Sequence, residues 1–60
     1  MTLEEIKRNA PDGATHYGIE HDEDGDNVVY IYARSWGYYY FGSNTMIDEY
    51  EEYLLGIKPL

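Results

Sequence analysis

The chain has 60 residues, no cysteine and a net charge of −8, from twelve acidic residues against four Lys and Arg. That excludes a disulfide scaffold and a thiolate metal site, and it opposes direct nucleic-acid binding, which relies on basic groups to neutralise phosphates. One domain of this length, spanning residues 1–60, buries only about 60% of its unfolded surface, so its core is thin and self-association would relieve it.

The chain opens on a helix signal. Thr2-Leu3-Glu4-Glu5 matches a capping box, in which the Thr2 hydroxyl meets the third helical amide and Glu5 reaches back to the cap. Leu3, Ile6 and Ala10 fall on one face, while Glu4 and Glu5 at the start and Lys7 and Arg8 near the end suit the helix dipole. Pro11 disfavours helical geometry at Ala10 and ends the helix. Two turns are marginal in isolation, so this helix must dock on a sheet. Pro11-Asp12-Gly13 then reads as a turn into the first strand.

Residues 15–42 read as three antiparallel strands, about Thr15 to His21, Asn27 to Arg34 and Tyr38 to Gly42. Asp24-Gly25 is the hairpin signal, since a type I′ turn needs positive φ at both central residues. That turn sets His21 opposite Val28, Ile19 opposite Tyr30 and Tyr17 opposite Tyr32. With Ser35 and Trp36 in the second turn, Tyr39 lies opposite Tyr32 and Phe41 opposite Tyr30. One sheet face is then aromatic: Tyr17, Tyr30, Tyr32, Tyr39 and Phe41. The other carries Gly18, Val29, Ile31 and Ala33, flanked by Tyr38 and Tyr40, with Gly18 permitting close approach of a helix. A one-residue slip would exchange the two faces.

Ser43-Asn44-Thr45 supplies N-cap residues, and Thr45-Met46-Ile47-Asp48 begins a second helix of about ten residues. Met46, Ile47, Tyr50, Tyr53 and Leu54 form its apolar stripe, and Asp48, Glu49, Glu51 and Glu52 its acidic face. Gly56 stops it, and Ile57 and Leu60 tuck back onto the core. The fold class is therefore α+β: a short N-terminal helix, a three-stranded antiparallel meander and an amphipathic C-terminal helix. Both helices are expected on the Val29, Ile31 and Ala33 face, leaving the tyrosine face open or paired in a homodimer.

The segment Asn9-Ala10-Pro11-Asp12-Gly13-Ala14-Thr15-His16-Tyr17, followed by tyrosine-rich strands, resembles the opening of short uncharacterised proteins of tailed bacteriophages. The resemblance covers about the first third of the chain and the aromatic character of its middle. It implies a phage or prophage origin and a compact α+β fold, and it carries over no functional residue.

Chemical signatures are weak. Glu20, Asp22 and Asp24 followed by Gly25 imitate a calcium loop, but its twelfth position is Ile31 where an EF-hand needs a bidentate Glu. His16 and His21, five apart, sit on opposite faces of a strand, so one metal ion cannot readily meet both. Neither Ser35 nor Ser43 has a nucleophile context, and no Gly-rich phosphate loop is present. The sequence thus predicts no enzyme, no cofactor, and no apolar run approaching the ~18 residues of a membrane span. Its default reading is a cytoplasmic, phage-encoded, non-enzymatic protein-interaction module, acting on a host or phage protein in the host cell cytoplasm. Two surfaces are candidates: the aromatic face, since tyrosine is enriched in interface hot spots, and the acidic face of Asp48, Glu49, Glu51 and Glu52, which suits a basic partner. Two alternatives follow. One is an acidic nucleic-acid mimic that blocks a basic DNA-binding host protein, and the other a minor structural or morphogenetic phage component.

Overall fold

A computed structural model describes residues 2–60 of the chain. Its elements are helix α1 (Leu3–Arg8), strands β1 (His16–Asp22), β2 (Gly25–Arg34) and β3 (Gly37–Tyr40), helix α2 (Glu49–Leu55) and a short strand β4 (Lys58–Pro59). The strands form one antiparallel sheet in the order β3-β2-β1-β4, so the expected α+β meander is present and gains a two-residue strand at one edge.

The first hairpin turns one residue earlier than the Asp24-Gly25 signal suggests. Asp22 pairs with Gly25, leaving Glu23 and Asp24 in the loop. Neither loop residue has a positive φ, whereas Gly25 does, at 126°. A type I′ turn would force Asp24 into left-handed backbone; here the glycine after the turn takes the positive dihedral instead. The Asp22 carboxylate also accepts from the Asp24 amide at 2.9 Å, holding the turn in place. The register consequently moves by two residues: His21 faces Asp26, Ile19 faces Val28 and Tyr17 faces Tyr30. Because the shift is even, no side chain changes face. The second hairpin turns at Ser35 and Trp36 as the sequence indicates, with Tyr39 opposite Tyr32 and Tyr38 opposite Ala33.

The core lies on the aliphatic face. Ile31, fully buried at the centre of β2, packs with Ile47 and Leu55, and Val29, Tyr38, Tyr40 and Ile57 close around them. Gly18 makes this packing feasible: a Cβ there would stand 2.8 Å from Leu55 Cβ, closer than any side chain tolerates, so the bare backbone lets α2 settle onto β1. Ala33, expected beneath a helix, is exposed.

The second helix differs from its expected form. It begins at Glu49, not near Thr45, and is seven residues long, with Asp48 as N-cap accepting from the Glu51 amide at 2.8 Å. The residues before it belong to the sheet: Tyr40 N donates to Thr45 O, Ile47 N donates to Tyr38 O, and Met46 bridges Tyr39. Those bonds cover the β3 edge and withhold Met46 and Ile47 from the helix. The expected stripe of Tyr50, Tyr53 and Leu54 points outward and is exposed, and Leu55 is the helical residue that enters the core.

The first helix also departs from expectation, because it docks on the aromatic face. Thr2 caps it, accepting from the Glu5 amide at 3.3 Å, while the Thr2 hydroxyl lies 3.4 Å from the Glu5 carboxylate. Ile6 is buried, and its carbonyl accepts from the Tyr30 hydroxyl at 2.7 Å. With α2, Ile47 and Ile57 occupying the aliphatic face, Ile6 finds apolar cover beside Tyr17, Ile19 and Val28 on the opposite one. The two helices therefore lie on opposite faces of the sheet.

Candidate interaction surface

Docking of α1 divides the aromatic face into two halves. On the β1 side, Tyr17 lines a groove with Ile6, and Tyr30 is tied by its hydroxyl to the helix, so these two residues are structural parts of the α1 contact. The corresponding expectation, an open face including Tyr17 and Tyr30, is overturned there. On the β3 side, Tyr32, Tyr39 and Phe41 do come together at the surface, the two tyrosines half-buried and Phe41 exposed. Tyr32 and Tyr39 stack with ring centroids 5.4 Å apart and planes 11° from parallel, and Phe41 meets Tyr32 edge-on at 6.2 Å. Both geometries suit the aromatic quadrupole.

Four residues that the sequence reading left outside the site complete it. The Arg34 guanidinium lies 5.0 Å from the Tyr32 ring centroid, on the cation–π attraction expected of that pair. Trp36, 67% exposed at the tip of the second hairpin, donates its indole N–H to the Tyr39 hydroxyl. Met46 reaches the same face because bridge partners share a side of the sheet, and its partner is Tyr39. Asn44 holds left-handed backbone, φ 59°, and its side-chain oxygen accepts from the Tyr32 hydroxyl at 2.8 Å, locking that ring. The signal that could have found Met46 was its place before a stronger cap, Asp48, rather than after Thr45.

Matched against protein-family models, curated proteins and solved structures, the chain finds no counterpart. Its function has to be read from its own geometry. The fixed Tyr32–Tyr39 stack, with Trp36, Phe41 and Met46 exposed around it, joins the residue types that interface centres favour: aromatics, methionine and arginine. Two hydroxyl or indole hydrogen bonds hold the rings, so little side-chain freedom remains to be lost on binding.

The acidic helix face is less available than its sequence suggests. Asp48 serves as the N-cap, and Glu51 is half-buried, accepting the Tyr40 hydroxyl. Burial first, then the hydrogen bond and charge of Glu51, push the Tyr40 phenol up to about 12. Glu49 remains exposed and Glu52 half-exposed. His21, at the far end of β1, pairs with Asp26 at 2.7 Å on the open surface. Among the described residues no group of three His, Cys, Asp or Glu side chains converges as a metal site would require, and no helix is long and apolar enough to cross a membrane.

Proposed function

We propose that this chain is a non-enzymatic protein-interaction module that grips a foreign protein through the aromatic patch of Tyr32, Trp36, Tyr39, Phe41 and Met46. The observation that carries this reading is the pre-stacked, half-buried Tyr32–Tyr39 pair with 67%-exposed Trp36 beside it. Such residues are anchors that fill partner pockets. A foreign partner is favoured over a second copy because each chain carries −8, and like net charge opposes association. The opening's resemblance to short tailed-phage proteins supports a phage or host protein as that partner.

The test compares immobilised wild type with a Trp36→Ala/Phe41→Ala double variant in host lysate at high salt, where apolar contacts persist and surface charge is screened. A protein retained by wild type should be lost by the variant, which should still unfold cooperatively in urea, at a midpoint lowered by the loss of the Phe41–Tyr32 contact and the Trp36–Tyr39 hydrogen bond. Equal retention by the two would refute the patch. Light scattering over a concentration series separates a second copy from a foreign protein.

A further inference from the structure

The two edges of the sheet are finished differently. The β3 edge is covered by residues 45–47, whereas β4 pairs with β1 only at His16 and Tyr17, and β1 runs on to Asp22. Ladder alternation tells which main-chain groups this leaves free. Phe41 N donates to Tyr30 O at 2.9 Å, so Tyr30 turns its polar groups toward β3. Val29 and Ile31 therefore turn theirs toward β1, where Gly18 and His16 answer them. Ile19 and His21, out of phase with these, aim N–H and C=O away from the sheet. Among the described residues, no backbone hydrogen bond meets them there. Such a row of unpaired groups is a template for another strand.

The two sides of this edge differ in chemistry. On the α1 side of a groove of about 640 Å³ stand Ile6, Tyr17, Ile19 and Val28, with Asp26 among them, and Leu54 of α2 and Lys58 of β4 line its other wall. On the α2 side Glu20 and Glu51 stand beside Leu54 and Leu55, and beyond His21 come Asp22, Glu23 and Asp24. We infer that the free edge of β1 from Ile19 to His21 accepts, by strand addition, an extended segment of a protein partner whose side chains alternate apolar and basic. Apolar side chains of the added strand enter the groove beside Ile19, and basic ones meet Glu20 and Glu51, since successive residues of a strand face opposite ways. A second copy fits poorly. Antiparallel self-pairing about residue 20 or 21 sets Glu20 against Glu20, or Glu20 against Asp22, of the other chain, and like charges directly opposite destabilise a sheet.

This site lies at the edge opposite the aromatic patch and does not depend on it. The probe is a synthetic peptide of alternating lysine and valine, titrated into the isotope-labelled full chain at low salt. Amide exchange at Ile19 and His21 should slow by about tenfold or more as their hydrogen bonds form, and added salt should weaken the binding. A glutamate–valine peptide should not bind, and neither should the lysine–valine peptide N-methylated at the amides that face β1. The Trp36→Ala/Phe41→Ala variant should bind the peptide as wild type does, so loss of the patch reading leaves this one standing. His21→Pro removes an outward donor and no β1–β2 backbone hydrogen bond, together with the exposed His21–Asp26 side-chain pair, and should weaken binding about tenfold. The N-methylated peptide on wild type decides the matter if that variant fails to fold. Unchanged exchange at Ile19 and His21 under saturating peptide, or equal binding of the N-methylated form, overturns the inference.

Discussion

Replacing Gly18 by alanine tests the packing on which the fold rests. The added methyl would sit 2.8 Å from Leu55 Cβ, 3.4 Å from Leu55 O and 3.5 Å from Ile31 Cδ1. The nearest of these is the stem of a side chain fixed to the helix backbone, so it cannot swing away, and α2 must lift from β1. Overpacking of this kind costs roughly 1–3 kcal/mol. Alanine returns about 0.4–1 kcal/mol by restricting the unfolded chain, which leaves a net loss of roughly 1–2 kcal/mol. A domain this small has only about 3–5 kcal/mol to lose. The melting temperature should therefore drop by roughly 5–15 °C, at about 4–8 °C per kcal/mol for domains of this size. Urea and thermal unfolding followed by far-ultraviolet circular dichroism would measure it. A variant as stable as wild type, or more so, would show that α2 does not press on β1 at this point.

Asp48→Ala should cost about 1 kcal/mol as the cap of α2 is lost, whereas Thr45→Ala should stay within about 0.5 kcal/mol; the reverse order in urea unfolding would return the helix start to Thr45. Tyr30→Phe removes the 2.7 Å bond to Ile6 O and should cost about 1 kcal/mol, with faster amide exchange confined to α1; unchanged exchange there would show that the bond does not anchor the helix. Tyr40→Phe removes the partner of half-buried Glu51 and should cost roughly 1–2 kcal/mol near neutral pH. Tyr40 rises from 10.0 to about 12 in the fold, so the folded chain keeps its phenolic proton after the unfolded chain has begun to lose its own. The stability from this group is complete below pH 10 and falls away as pH climbs toward 12. Absorbance titration should show the last phenol to ionise missing from Tyr40→Phe, and a late step that survives would assign it elsewhere.

Strand pairing and the division of the sheet into two faces were legible because period-2 alternation is strong in residues 28–33, and an even register error leaves it intact. The Asp24-Gly25 dipeptide misplaces the turn because the Asp22 side chain competes to set it one residue earlier. Placement of α1 was hidden for a different reason. Ile19 and Val28 lie on the tyrosine face and make its β1 half apolar enough to hold Ile6, which a tally of rings overlooks. In the candidate site, Tyr32, Tyr39 and Phe41 were readable from alternation and the Ser35-Trp36 turn. Met46 was not, because its backbone pairing with Tyr39 is a long-range bond that helix periodicity cannot anticipate.

The orientation of α2 shows how a thin core overrules amphipathic pattern. By periodicity the helix should bury Tyr50, Tyr53 and Leu54, yet those side chains are exposed and Leu55 is inside. Two features of the sheet favour the observed face. Gly18 admits a helix so close that only a Cβ fits between the backbones, and a tyrosine ring at that point would hold α2 away from Ile31. Tyr40, rooted in the core face of β3, also needs an acceptor for its hydroxyl, since an unpaired polar group in the interior is costly. Glu51 provides one, four residues and about one turn before Leu55, and so lies on the same side of the helix. Turning the helix to hide Tyr50 and Tyr53 would break both contacts. The apolar residues left outside α2 are thus a consequence of how the sheet is filled, and they are weaker evidence for a partner than the rings of Tyr32 and Tyr39, which hydrogen bonds hold in place at the surface.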